Sequence, residues 1–193
     1  MLRTILVGAA IALTQPAAAQ TSAPVIPKCL DDSSYHLLDF WLGSWNVVDS
    51  SKTVVGHNVI ERIVGGCAIT ETWTEPGGEG RSLFYFVPAT KRWKQVWVTP
   101  QSLYPGGMKE KQFVGITPDG GVRFQGEYLG PRGALILDRT TLTPLGDHRV
   151  RQLIELSRDG GHSWKSAFDA MYVADSSPRA VLPRPPQRKL RST

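Results

Sequence analysis

Four polar side chains and three tryptophans have types and spacing that could build a site. In Cys67–Thr74 the alternation puts Ile69, Glu71 and Trp73 on one side, and in Arg92–Thr99 it puts Trp93, Gln95 and Trp97 on one face. Arg139 shares a face with Leu135 and Leu137, and Gln152 shares one with Val150 and Ile154. If the apolar faces point inward, Glu71, Gln95, Arg139 and Gln152 point inward with them, because side chains of a strand alternate with period two. A buried carboxylate and guanidinium must then pair or bear a desolvation cost on the order of several kcal/mol. Such a set can orient a small apolar or amphipathic ligand in a cavity walled by Trp73, Trp93 and Trp97, as ligand pockets do. It can instead offer Glu71, its pKa raised by burial, as a general base. Its third use is structural, a polar network that fills a small barrel.

Other chemistries find less support. His36, His57, His148 and His162 form no His-x-x-x-His and no cluster with Cys or carboxylates, so the sequence calls for no zinc site. His57 or His148 could ligate haem inside a barrel, although a lone histidine is more often a surface or network residue. Pro76–Gly80 lacks the spacing and following helix of a phosphate loop, and there is no Gly-x-Ser-x-Gly elbow. No catalytic residue, metal or cofactor is assigned. Ser157-Arg-Asp-Gly-Gly-His-Ser-Trp164 fits the Asp-box pattern, and Thr117-Pro-Asp-Gly-Gly-Val-Arg-Phe124 is a looser copy. That motif reinforces a hairpin: Asp caps backbone N–H groups, Gly takes positive φ and the aromatic packs beneath. Two copies in so short a chain cannot make a propeller.

The elements that must position these residues are short strands. Six Trp, six Phe and five Tyr favour β structure, and 19 Gly and 14 Pro punctuate it at turn-like intervals. The expected strands include His57–Ile63, Cys67–Thr74, Ser82–Val87, Arg92–Thr99, Met108–Ile116, Val122–Leu129, Gly133–Thr143, His148–Ser157 and Ser163–Val173. With Trp45–Val48, that makes about ten in up-and-down order with hairpin-length links. Such a meander closes on itself and so removes its edges. Ahead of it, Tyr35, Leu38 and Leu42 have helical spacing, with Ser33 or Ser34 as N-cap. Gly43 sits where the period changes, at a sharp bend or a close approach of backbones.

Met1–Arg3, the apolar Ile5–Leu13 and Ala17-Ala18-Ala19 read as a secretory signal peptide over residues 1–19, too short to span a bilayer. The expected organisation continues with an extended leader at 20–32, a barrel domain at 33–175 and a disordered basic tail at 176–193. The location is then secreted or periplasmic. Formal net charge is +5, but Arg3 and five basic residues of the tail account for six of the 22 Lys and Arg, leaving 16 against 17 acids. A nucleic-acid partner is not expected, because the folded body is near neutral. Cys29 and Cys67 are the two cysteines; after export they are candidates for a disulfide contributing roughly 3–4 kcal/mol. The alternative is a buried Cys67 thiol.

Asp39-Phe-Trp-Leu-Gly-Ser-Trp45, Gly66-Cys67, Glu71-Thr-Trp73, Trp93-Lys-Gln-Val-Trp97, Arg151-Gln152 and Ser157-x-Asp-Gly-Gly-x-x-Trp164 occur in an order that resembles an exported bacterial lipocalin-like family of unknown function. The resemblance covers Asp39 to Tyr172 and implies a calycin-type barrel; it brings no catalytic residues. A more distant resemblance is to nitrobindin-type haem barrels, whose Gly-x-Trp-x-Gly-x-Gly signature is longer than the Gly43-Ser-Trp45-Asn46-Val47-Val48 found here. The leading expectation is a small hydrophobic ligand inside the barrel. The alternatives are an enzyme using Glu71 as base and a haem barrel.

Overall fold

The computed structural model describes residues 28–100 and 108–175. The expected signal peptide, residues 20–27 of the leader and residues 176–193 of the tail lie outside them. The described residues form ten strands: β1 (Gly43–Val48), β2 (Val54–Ile63), β3 (Ala68–Glu75), β4 (Gly78–Val87), β5 (Arg92–Val98), β6 (Met108–Ile116), β7 (Val122–Leu129), β8 (Leu135–Pro144), β9 (Arg149–Ser157) and β10 (Lys165–Ala174). Each pairs antiparallel with its neighbour in sequence, and β1 pairs β10 to close an all-β up-and-down barrel. Closure gives each strand two hydrogen-bonded neighbours and leaves no edge exposed.

The helical lead-in is a set of three 3-10 turns, Cys29–Asp31, Ser33–Tyr35 and Asp39–Trp41. Asp32 caps the second by accepting from the Ser34 amide at 2.8 Å. These turns close one end of the barrel. Leu38 and Trp41 are fully buried there, and Trp93 Nε1 donates to Ser34 O at 2.8 Å. Trp45 Nε1 donates to Trp41 O at 2.9 Å, so this tryptophan belongs to the floor. Cys29 and Cys67 are joined in a disulfide. Arg62 adds a second tie: it pairs with Asp39 and donates to Tyr35 O at 3.1 Å. Gly43 has φ +140°, and a Cβ there would meet nothing closer than the Trp45 ring at 3.7 Å. The bend, and not a close approach, is what requires glycine.

Above the floor, inward rings meet edge to face: Trp41 and Phe84 at 5.5 Å, Trp41 and Tyr172 at 5.9 Å, Phe84 and Phe124 at 5.5 Å. This closed half is a packed core. The opposite end carries the β3–β4, β7–β8 and β9–β10 turns. Glycine room is used there, because a Cβ on Gly56 would stand 2.4 Å from Trp73 Cη2 and one on Gly80 2.1 Å from Trp97 Cη2. The expected Pro76–Gly80 loop is accordingly shorter, with Gly78 to Gly80 already in β4.

Candidate functional site

Strand alternation brings Glu71 and Trp73 (β3), Gln95 and Trp97 (β5), Lys109 (β6), Thr140 (β8), Gln152 and Ile154 (β9), and Phe168 and Tyr172 (β10) around one interior cavity of about 210 Å3, with Glu75 at its rim. Of the residues singled out in the sequence, Glu71, Trp73, Gln95, Trp97 and Gln152 line it. Trp93 does not: it is buried at the closed end against Tyr35 and Phe86.

Arg139 is the correction. It does share a face with Leu135 and Leu137, but that face is the outer one; Ile136, Asp138, Thr140 and Leu142 are the buried, inward set of β8. Outside, Arg139 donates to both carboxylate oxygens of Glu155, at 2.7 and 3.0 Å. Its guanidinium lies 4.0 Å from the centre of the Trp164 ring. Trp164 belongs to the Asp-box hairpin, where Gly161 N donates to Ser157 Oγ at 2.8 Å and Ser163 N to Asp159 Oδ1 at 2.9 Å. Leu137 misled because this hairpin folds back toward it, its Cδ1 3.5 Å from where a Cβ on Gly161 would stand, and Leu135 is simply an exposed leucine.

Between the aromatic floor and the cavity lies a buried polar layer. Glu71 accepts from Asn58 Nδ2 at 2.7 Å on one oxygen and from Ser82 Oγ at 2.6 Å on the other. Gln95 Nε2 donates to Ser82 Oγ at 3.0 Å, Asn58 Nδ2 also donates to Tyr172 OH at 3.0 Å, and that hydroxyl donates to Gln152 Oε1 at 2.5 Å. Across the barrel, Asp138 takes Lys109 Nζ at 2.8 Å on Oδ2 and Lys111 Nζ at 2.5 Å on Oδ1. The second is a close ion contact outside hydrogen-bond angle. Lys111 Nζ finds its hydrogen bond at Thr140 Oγ1, 2.5 Å away.

Burial pushes Glu71 above the ordinary carboxylate value, against the opposing effect of Ser82, Asn58 and the Lys111 charge. Burial pulls Lys111 down, with Asp138 opposing. Tyr172 is raised well above its usual value by burial and then by the Glu71 charge. The Gln95 amide oxygen and the Asn58 amide oxygen are buried with no hydrogen-bond partner among the described residues. Such orphans are uncommon in folded proteins and mark either strain or an absent partner.

Asn58, Ser82, Lys109, Lys111, Asp138, Thr140, Phe168 and Tyr172 were not among the residues the sequence singled out. In β6, Lys109 and Lys111 alternate with Glu110 and Gln112, so polarity on both faces hides which one is inner. The β10 bulge between Ser166 and Phe168 shifts parity in the same way.

A larger depression of about 500 Å3 lies along the outer wall over β5–β7, among Lys94, Glu110, Gln112, Gln125 and Glu127. Its side chains are mostly solvated, so the interior cavity, with its aromatic walls, is the better site. His57, on β2, and His148, in the β8–β9 turn, are exposed and stand away from the cavity. Among the described residues no three His, Cys, Asp or Glu side chains gather as a metal site would require. In comparisons with known proteins, no family model and no curated protein matches this chain.

Proposed function

We propose that the protein binds a small amphipathic molecule in the open half of its barrel. The observation that carries the reading is the cavity itself, about 210 Å3 in the open half, walled by aromatic and aliphatic side chains with Gln95 and Gln152 among its few polar ones. Trp73, Trp97, Ile154 and Phe168 supply apolar walls. The volume suits a substituted single ring, since a cavity of about 150 Å3 already accepts benzene. A haem macrocycle is larger than this space, and neither His57 nor His148 faces it. The disulfide accords with export, and the barrel accords with the lipocalin-like resemblance.

The test is calorimetric titration of the protein with 2-phenylethanol, beside an Ile154→Trp variant that fills the cavity. Saturable binding that disappears in the variant, with circular dichroism unchanged, supports the reading; binding untouched by Ile154→Trp rejects this site. A second reading, Glu71 as a general base, is favoured by its burial and raised pKa beside the cavity. Against it, both carboxylate oxygens already accept hydrogen bonds. Only that reading predicts chemically altered probe, read by mass spectrometry after prolonged incubation.

A further inference from the structure

The buried polar layer fixes which way one amide of the cavity wall faces. Glu71 takes hydrogens from Ser82 Oγ and Asn58 Nδ2, and the same Asn58 nitrogen donates to Tyr172 OH at 3.0 Å. A tyrosine hydroxyl has one hydrogen of its own, and here it goes to Gln152 Oε1 at 2.5 Å. Gln152 therefore turns its oxygen to Tyr172 and leaves its NH2 for the space it lines. The side chain is 7% exposed, and that NH2 has no acceptor among the described residues.

Other donors on this wall are unspent as well. The Trp73 and Trp97 indole N–H groups have no acceptor among the described residues, and Lys109 Nζ keeps hydrogens beyond the one given to Asp138. Acceptors are scarcer. Both Glu71 oxygens are taken, Gln95 Oε1 is sealed from water, and Glu75 stands at the solvated rim. Charge favours neither sign. An anion would meet Glu75 on entry and then a lysine already held by Asp138 at 2.8 Å. A cation would bring hydrogens to a wall short of free acceptors.

We infer that the cavity takes a compact apolar molecule whose polar group is an uncharged carbonyl oxygen, received by Gln152 Nε2. This rests on the binding reading above and names the ligand's polar group. A carbonyl accepts without having a hydrogen to place, which is what this wall asks of its occupant. Trp73 and Trp97 provide both flat surface for the body and further N–H groups for the oxygen's second lone pair.

Four probes of nearly one shape test it: acetophenone, 1-phenylethanol, 1-phenylethylammonium and benzoate, titrated calorimetrically into the full chain at neutral pH. Acetophenone should bind tightest, exceeding the alcohol by roughly three- to tenfold, the range of one net hydrogen bond. The infrared carbonyl stretch of bound, carbon-13-labelled acetophenone should lie below its position in an apolar solvent, as a carbonyl that receives a hydrogen bond does. Gln152→Met combined with Tyr172→Phe removes the amide together with the hydroxyl that could replace it. This variant should lose the ketone's advantage and raise the stretch; if it fails to fold, the parent's probe order and stretch still decide. A bound stretch at the apolar-solvent position, or any other probe bound as tightly as the ketone, overturns the carbonyl and leaves the binding reading standing. A folded double variant with stretch and affinity unmoved overturns Gln152 as the receiving group. Absence of binding by all four overturns both readings.

Discussion

At the closed end of the barrel, Trp41 is fully buried and meets Phe84 and Tyr172 edge to face. At the open end, Trp97 is only partly buried and lies over Gly80, where any Cβ would collide with its ring. The closed end fills its space with rings, and a tie of disulfide and Arg62 holds the cover in place. The open end lays its rings against glycines of the adjacent strands, which pushes them to the wall and keeps the centre free. One residue type thus serves stability at one end and a binding surface at the other, and the neighbouring strand decides which.

The largest effects should fall on the closed end. Trp41→Ala should cost about 3–5 kcal/mol of unfolding free energy, as large aromatic deletions from packed cores do. Trp97→Ala should cost clearly less, and instead reduce binding of 2-phenylethanol. Urea melts of the two variants side by side check this; equal losses would erase the distinction between the ends. Close behind comes the disulfide. Cys29 and Cys67 enclose a separation of 38 residues, for which restricted chain entropy predicts about 4 kcal/mol. A Cys29→Ser/Cys67→Ser double variant should show that loss in melts, with ligand binding by the surviving folded fraction kept, since neither sulfur touches the cavity.

Gly80→Ala sharpens the comparison from the other end. Its Cβ would sit 2.1 Å from Trp97 Cη2, so the ring must swing into the cavity. Overpacking of this kind costs about 1–3 kcal/mol, and here it should also weaken binding of 2-phenylethanol. A crystal structure of the variant with the ring unmoved would falsify the account of the open wall.

How far the sequence foretold this arrangement follows from what each strand's pattern could encode. The barrel was legible because turns rich in Gly, Pro and Asp separated strands of near-uniform length, and closure is the economical way to leave no edges. In β3 and β5 the aromatic face is the inner face, so Glu71, Trp73, Gln95 and Trp97 could be placed. In β8 two leucines lie outside, Leu137 near the returning hairpin and Leu135 exposed, while Asp138 and Thr140 lie inside, so hydrophobicity chose the wrong face for Arg139. Asp138 could not have been found by apolar alternation at all. Its burial is tolerable only because Lys109 and Lys111, distant in sequence, arrive at its two oxygens.

The buried layer between the two ends makes a pH prediction. Glu71 has a folded-state pKa raised by burial, so between its unfolded value near 4.5 and its folded value the native state holds the proton that the unfolded chain releases. Stability from this group is therefore full below about pH 4.5 and declines as pH rises toward the folded pKa. Glu71→Gln removes the dependence. Relative to the parent, the variant's melting temperature should improve on going from about pH 4.5 to about pH 8. A difference that is flat or runs the other way would show that Glu71 is not held above its ordinary value.

The smallest effect belongs to the outer hairpin, where Asp159 runs opposite to Glu71. Its carboxylate is solvated, and hydrogen bonds from the Ser163 hydroxyl, the Ser163 amide and Ser157 hold its pKa well below the usual range. Its contribution is therefore present above the unfolded value near 3.8 and fades as pH falls through the folded one. Asp159→Ala should speed amide exchange at Ser163, leave the melt nearly unchanged and leave probe binding unchanged. The looser copy at Thr117–Phe124 differs in where it places its aromatic: Phe124 is buried in the core, whereas Trp164 lies outside under Arg139. Asp119→Ala should thus loosen only the turn, while Asp159→Ala should also free the Arg139–Glu155 pair that Trp164 supports. Nitrogen-proton correlation spectra of the two variants would separate these outcomes, with shifts reaching β8 and β9 only for Asp159→Ala.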